Sequence, residues 1–167
     1  YGAPYPRGSR FRRAGCTPGV FYGSRTSATV IAETAFHRLQ FFAESPGTPW
    51  PANPGEFTAF AVALRTRAGV VLPAPPLVRD RERWVHPTDY PACQPLAEQA
   101  REAGVEVIRY ESARDPARGS NLAVLACRAF RSAEPVAWQT WRLALSPAGV
   151  RAVCAFPERQ VEYSREV

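Results

Sequence analysis

The sequence has 167 residues, of which 46% are hydrophobic and 22% are charged, and this composition excludes an intrinsically disordered chain. Its net charge is +6, and all 21 basic residues are arginine. The sequence is also rich in alanine and proline and lacks lysine, a pattern that coding bias in a GC-rich genome can produce. The basic charge is therefore only weak evidence for an anionic partner.

The length fits one domain spanning residues 1–167. No apolar run approaches the roughly 18 residues of a membrane span, and the first residues do not resemble a signal peptide, so we expect a cytoplasmic protein. Because the sequence does not begin with methionine, we expect residues to be missing upstream. The four cysteines lie far apart and form no CxxC pair, which predicts reduced thiols and no metal site.

The first 18 residues, YGAPYPRGSRFRRAGCTP, contain three prolines and three glycines and predict an arm without regular structure. A short strand is predicted at Val20–Tyr22. From Ser24 onward the pattern is helical, since small and apolar residues recur at spacings of three and four. These residues are Ala28, Ile31, Ala35, Leu39 and Phe42. Glu33 lies beside this stripe, so it is predicted to border the core without facing into it.

The rest of the chain predicts mainly strands. We predict them at Phe57–Leu64, Val70–Leu72, Val105–Tyr110, Leu122–Ala126, Trp138–Leu145 and Val150–Phe156. A second helix is predicted at Pro95–Ala103. The run DRERW at 80–84 is predicted to be a solvated turn in which Trp84 anchors the packing, and strand alternation places Trp138 and Trp141 on opposite faces. Two helices among about seven strands predict an α+β fold with a mixed or antiparallel sheet.

Candidate functional residues do not follow the common catalytic motifs. The sequence contains no GxGxxG, Walker, HExxH, GxSxG or EF-hand pattern, and two histidines offer few parts for a metal site or a triad. A different set remains: Arg10 in the arm, Tyr22 at a strand end, Glu33 on the helix and Ser112 after VEVIRYE. Each also has an ordinary interpretation, respectively a solvated charge, a packing ring, a boundary carboxylate and a turn residue.

Four segments together resemble the RES-domain toxins of bacterial type II toxin–antitoxin modules. GSRF resembles the GGRW-like motif of this family, and GVFYGS resembles its strand ending in tyrosine. TVIAETAF resembles the helix that carries the family's glutamate, and IRYESARDP resembles its serine segment. The resemblance places the family's named residues at Arg10, Glu33 and Ser112, with its active-site tyrosine at Tyr22. Within the family, PYPRGSRFRR and FFAESPGTPWP most resemble the ParT toxin of ParS–ParT modules.

The resemblance implies a fold similar to ADP-ribosyltransferases and an enzyme that consumes NAD+ without a metal. Family members break NAD+ down with water or phosphate, or transfer ADP-ribose to a host protein such as an enzyme of nucleotide metabolism. It also implies a cognate Xre-like or ParS-like antitoxin that covers the active-site cleft. The family has an arginine followed by tyrosine upstream of GGRW. Here Tyr1 matches that tyrosine, and the arginine falls before the sequence begins. Phe11 replaces the usual tryptophan.

These residue types suit cleavage of the bond between nicotinamide and ribose. The transition state is oxocarbenium-like, so the carboxylate of Glu33 can offset its positive charge and hold a ribose hydroxyl. The guanidinium of Arg10 suits the pyrophosphate. Tyr22 can lay its ring against the nicotinamide or ribose, and Ser112 can donate a hydrogen bond to one of their oxygens. The resemblance implies that four residues contact NAD+: Tyr1, Arg10, Tyr22 and Ser112.

Two other functions remain open from the sequence. A basic nucleic-acid-binding module or ribonuclease is one, because four arginines interleave with aromatic residues in the arm. These arginines are Arg7, Arg10, Arg12 and Arg13. No RRM, KH or helix-turn-helix signature supports this function. The other is a catalytically inactive protein whose arm binds an acidic antitoxin segment. From the resemblance we expect neither a membrane nor a nucleic acid as a direct partner.

Overall fold

The computed structural model describes residues 7–15 and 18–164, and this part of the chain contains three α-helices and eight strands in two four-stranded sheets. The predicted α+β class is therefore confirmed. None of the helices in these residues combines the length and the apolar character needed to cross a lipid bilayer. Tyr1, one of the predicted site residues, lies outside the described residues.

All but two of the helices and strands overlap predicted ones, with ends that differ by a few residues. The helices are α1 (Ser27–Glu44), α2 (Arg81–Trp84) and α3 (Cys93–Glu102). The strands are β1 (Phe21–Ser24), β2 (Gly55–Ala61), β3 (Gly69–Val71), β4 (Val107–Glu111), β5 (Ser120–Val124), β6 (Ala137–Ser146), β7 (Gly149–Cys154) and β8 (Arg159–Ser164).

Two elements, α2 and β8, were not predicted. The solvated turn predicted for 80–84 is wrong in its conformation, because Arg81–Trp84 form one helical turn. The prediction that Trp84 anchors the packing is confirmed. Trp84 is only 6% exposed, and its Nε1 donates to the backbone oxygen of Leu77 at 2.9 Å. The sequence of β8 gives only a weak strand pattern, because its inward residues, Val161 and Tyr163, are only partly buried.

The first turn of α1 is held by hydroxyl groups. The backbone N–H of Thr29 donates to the hydroxyl of Thr26 at 3.2 Å, which satisfies one of the N–H groups that a helix start leaves unpaired. The hydroxyls of the two threonines also bond each other at 2.8 Å. Ala28, predicted to lie on the buried stripe, is exposed, because it lies in this first turn ahead of the residues that pack.

The chain divides into two compact units, and the first consists of Tyr1–Thr29 and Leu64–Arg131. Its sheet has the strand order β1-β5-β4-β3, with β3 parallel to β4 and the other pairs antiparallel. One face of the sheet packs against α3 and part of the arm, which buries one apolar core. This core includes Phe11, Leu72, Trp84, Cys93, Ala97, Ile108, Tyr110 and Ala123. This unit therefore has a mixed sheet, one of the two sheet types that the sequence left open.

The second unit consists of Val30–Ala63 and Ser132–Val167. Its sheet is antiparallel throughout, in the order β2-β6-β7-β8. Helix α1 packs its buried stripe against the inner face of this sheet. The core contains Ile31, Ala35, Leu39, Trp141, Leu143, Leu145, Val150 and Ala152. Three of the five stripe residues predicted for the first helix are thus in the core, while the single domain predicted for residues 1–167 stays a prediction.

Candidate functional site

The part of the arm around Arg10 is a tight turn held by β1. Ser9 and Arg12 exchange backbone hydrogen bonds, with the N–H of Ser9 2.8 Å from the oxygen of Arg12. The hydroxyl of Tyr22 accepts the N–H of Phe11 at 3.0 Å and shares a hydrogen bond with the hydroxyl of Ser9 at 2.9 Å. Because both ends of the turn are fixed, the backbone of Arg10 has a defined position on the first unit.

Helix α3 holds the same turn from its other side. The side-chain nitrogen of Gln94 donates to the backbone oxygens of Ser9 and Arg12 at 3.1 and 3.3 Å. One turn later on the helix, Glu98 forms an ion pair with Arg13. Residues four apart lie on one face of a helix, so a single face of α3 carries both contacts. In residues 7–15 the predicted arm therefore has no helix or strand but is packed against α3 and β1.

Arg10 is buried, with 6% of its surface exposed. Its Nη1 donates to the backbone oxygen of Trp84 at 2.6 Å, and its Nη2 donates to that of His86 at 2.8 Å. The guanidinium carbon also lies 4.6 Å from the ring centre of Tyr90 and 5.6 Å from that of Tyr110. Carbonyl oxygens and aromatic ring faces thus stabilise the buried cation. The predicted contact with pyrophosphate stays a prediction.

Tyr22 keeps its proton at neutral pH. Removal from water raises the pKa of its hydroxyl above the ordinary value of 10, although the hydrogen bonds with Ser9 and Phe11 and the charge of Arg10 act in the opposite direction. The side chain as a whole is 37% exposed. A neutral hydroxyl beside a partly exposed ring can offer both a polar and an aromatic contact to a ligand.

Ser112 is 1% exposed and begins a turn directly after β4. Its hydroxyl oxygen accepts the backbone N–H groups of Arg114 and Asp115 at 3.2 and 3.0 Å. The carboxylate of Asp115 in turn accepts those of Ala117 and Gly119 at 2.9 and 3.2 Å. The serine therefore has the turn role that the sequence left open, and its hydrogen bond to a substrate stays a prediction.

Two residues that the sequence analysis missed connect these predicted positions. Arg114 donates through Nη2 to the backbone oxygen of Pro87 at 2.6 Å and to the hydroxyl of Tyr90 at 2.7 Å. Tyr90 also lies against the guanidinium of Arg10. A continuous series of contacts thus runs from the turn of Ser112 through Arg114 and Tyr90 to Arg10. Two sequence features could have indicated these residues. Arg114 follows Ser112 by two positions, and Tyr90 lies among prolines.

Glu33 lies on α1, in the part of the helix that belongs to the second unit. It is half-buried, whereas Ile31 and Ala35 are 3% and 1% exposed. The expectation that this carboxylate borders the core is therefore confirmed. The structure brings Arg10 and Tyr22 together with the turn of Ser112 in the first unit, and the catalytic role of Glu33 stays a prediction.

An open cavity of about 340 Å³ lies at α2 and the segment that follows it, lined by Glu82, Arg83, His86, Asp89, Pro91 and Ala92. In residues 7–15 and 18–164, no three side chains of His, Cys, Asp or Glu are grouped so as to hold a metal ion.

Cys93, Cys127 and Cys154 are free thiols, as the sequence predicted. Glu111, the acid next to Ser112, is paired with the guanidinium of Arg81.

Comparison with known proteins identifies the family. A sequence model of the RES domain matches residues 1–146, which include every predicted site residue and end where β6 ends. No curated protein matches the chain. The special similarity to ParT toxins stays a prediction. The match covers most of the sequence, and the chain belongs to the RES domain family, whose members include toxins of toxin–antitoxin modules.

Proposed function

We propose that this RES domain is the toxin of a toxin–antitoxin module and that it consumes NAD+ by breaking the bond between nicotinamide and ribose. The observation that carries the proposal is the series of contacts joining Arg10, Tyr22 and the turn of Ser112, inside a chain matched by the RES domain over residues 1–146. Two of the three residues for which the family is named, Arg10 and Ser112, thus belong to a packed, hydrogen-bonded arrangement.

The reaction needs stabilisation of the sugar more than help for the leaving group. Nicotinamide leaves NAD+ as a neutral molecule and takes the bonding electrons, so the ribose becomes oxocarbenium-like. We assign the carboxylate that offsets this charge to Glu33. In hydrolysis, water attacks the anomeric carbon, and the products are ADP-ribose, nicotinamide and one proton. Phosphate or a side chain of a host protein can take the place of water, and no metal takes part.

The first unit provides groups suited to the rest of the substrate. No acidic side chain in the described residues pairs with Arg10, so its positive charge can attract the anionic pyrophosphate. Tyr22 offers a neutral hydroxyl and a partly exposed ring. We assign Tyr22, Ser112 and Tyr1 to contacts with NAD+, and Arg10 to the attraction of its pyrophosphate through charge. A cognate antitoxin of the Xre or ParS type would inhibit the enzyme by covering its cleft.

The alternative of a nucleic-acid-binding arm has less support. Arg10 is buried against two backbone oxygens, and Arg13 is paired with Glu98. Nucleic-acid binding relies on arginines that can reach phosphates from an exposed surface. The contacts of these two residues therefore reduce the cationic surface that the arm could present to a nucleic acid.

The proposed function can be tested with the antitoxin-free protein, NAD+ and a cell extract. Nicotinamide release measures cleavage. Free ADP-ribose identifies hydrolysis, ADP-ribose phosphate identifies phosphorolysis, and a labelled protein band identifies transfer. We expect Glu33→Gln to lower the rate by about 10²- to 10³-fold, as loss of one preorganised charge-stabilising group does.

Glu44→Gln is the matched control, because it makes the same change at the exposed end of the same helix. It should keep the wild-type rate. Full activity in Glu33→Gln, or no nicotinamide release by the wild type with or without extract, would contradict the proposal.

A further inference from the structure

The loop from Trp84 to Tyr90 depends on side chains for its shape. It follows α2 and precedes α3, and none of its residues after Trp84 belongs to a helix or strand. Backbone oxygens in such a segment need donors from elsewhere. Those of Trp84 and His86 accept from Arg10, and that of Pro87 accepts from Arg114. Two arginines, distant in sequence, therefore hold this loop.

The contacts of Arg10 are directed at this loop. Both terminal nitrogens of its guanidinium already donate to loop oxygens, at 2.6 and 2.8 Å. The same group lies against the ring of Tyr90 at 4.6 Å. With 6% of its surface exposed, the side chain is a buried link within the protein. An arginine used in this way fixes backbone more directly than it binds an exposed phosphate.

Arg114 fixes the far end of the same loop. Its Nη2 bonds both the backbone oxygen of Pro87 and the hydroxyl of Tyr90. That hydroxyl itself donates to the oxygen of Pro87 at 2.9 Å. The ring of Tyr90 is thus held at its face by Arg10 and at its hydroxyl by Arg114, so its orientation is determined from two directions.

We propose that Arg10 and Arg114 are positioning residues that fix the Trp84–Tyr90 loop, so that Tyr90 forms a rigid wall of the NAD+ site. In this role Arg10 acts through the loop. The family resemblance instead implies direct contact with the pyrophosphate, which Arg10 does not make under this proposal. The inference rests on the proposed function for the reaction that the loop serves. The hold of the two arginines on the loop is independent of any substrate.

Hydrogen exchange of the loop amides tests this hold without using activity. Lysine keeps the positive charge but cannot donate from two nitrogens, so Arg10→Lys and Arg114→Lys should each speed exchange of the amides of residues 85, 86 and 88–90 by roughly five- to tenfold. Arg13→Lys is the matched control, since Arg13 lies in the same arm but binds Glu98, and it should leave these amides unchanged. Wild-type exchange in both loop variants would overturn the inference.

Kinetics then separate positioning from direct contact. Nicotinamide riboside contains the reacting bond but no pyrophosphate. A positioning role predicts that Arg10→Lys lowers kcat/KM by the same factor for NAD+ and for nicotinamide riboside, and that Arg114→Lys does likewise. A loss confined to NAD+ would overturn the inference in favour of a pyrophosphate contact. If the wild type cleaves neither compound, the proposed function fails, while the exchange experiment still decides whether the arginines hold the loop.

Discussion

Gly119, at the end of the turn that Ser112 begins, occupies a position where a side chain does not fit. A Cβ built there would lie 2.0 Å from the hydroxyl oxygen of Thr29 and 2.5 Å from Oδ2 of Asp115. Both neighbours are buried, at 2% and 8% exposure, so neither can move aside freely. We expect Gly119→Ala to lower the free energy of unfolding by about 1–3 kcal/mol, as overpacking does in other cores. Urea denaturation measures the change.

Gly47→Ala is the control for this substitution. A Cβ at Gly47 meets no atom within 4 Å, so the variant should match the wild type or be more stable by up to about 1 kcal/mol. Equal denaturation midpoints for Gly119→Ala and Gly47→Ala would show that the Ser112 turn is looser than its contacts indicate.

Glu106, just before β4, gives the protein an acid-sensitive contribution to stability. A hydrogen bond from Thr66 and then one from Arg128 hold the pKa of this carboxyl below its ordinary value of 4.5. The folded state therefore binds fewer protons, so the contribution is complete above pH 4.5 and is lost as the pH falls through the lower, folded-state pKa.

A pH series of urea denaturation curves tests this contribution. The stability difference between the wild type and Glu106→Gln should be largest near pH 6 and should shrink below pH 4.5. Thr66→Val should weaken the same pH dependence, because Thr66 makes the largest stabilising contribution to the charged form. A difference that stays constant from pH 6 to pH 3 would contradict the assignment.

At the scale of residues, the sequence indicates which side chains matter better than what they contact. Motifs identify Arg10, Tyr22 and Ser112, and the structure places all three in one series of contacts. The partners of Arg10 are backbone oxygens 74 and 76 positions away. Backbone oxygens are present at every residue, so no residue pattern marks the ones that a distant arginine will bind.

Strand β6 carries a matched pair of tryptophans on its two faces. Trp141 is 1% exposed within the core of the second unit, whereas Trp138 is 62% exposed and faces Phe60 across the sheet at 5.8 Å. The opposite faces predicted from strand alternation are therefore confirmed. We expect Trp141→Ala to cost about 3–5 kcal/mol of stability. Trp138→Ala should cost about 1 kcal/mol or less, since it removes mainly a surface contact.

Denaturation followed by circular dichroism measures both tryptophan variants without relying on the fluorescence that they lose. The two substitutions delete the same atoms from the same strand, so a difference in stability reports the burial of Trp141 together with its hydrogen bond to Gln139. Similar losses for the two variants would mean that the outer face of β6 contributes to folding as much as its inner face.

At the scale of elements, strength of pattern decides what can be predicted. The stripe of α1 repeats over several turns, and Ile31, Ala35 and Leu39 are buried as predicted. Helix α2 has four residues, too few for a helical period to appear. Its first three residues, Arg81–Arg83, are polar, so the sequence pattern predicts a solvated turn. The burial of Trp84 and its hydrogen bond to Leu77 are visible only in the structure.

At the scale of the whole molecule, the sequence predicts the α+β class but not the division into two sheets. Strand β5 pairs with β1, and β6 pairs with β2, across long intervening segments. Periodicity reports which residues form strands and which face they bury, and it contains no information about such distant partners. The parallel pairing of β3 with β4 is likewise invisible in the sequence.

Each unit is assembled from two separate stretches of chain, and this has a consequence for synthesis on the ribosome. The first unit has all of its residues once position 131 has been translated, whereas the second waits for the segment that begins at Ser132. Because chains are made from the amino terminus and domains tend to fold as they emerge, the Arg10 and Tyr22 contacts can form early. Glu33 joins its completed core only after the segment from Ser132 onward has been made, so any activity that depends on Glu33 would arise later than the first unit.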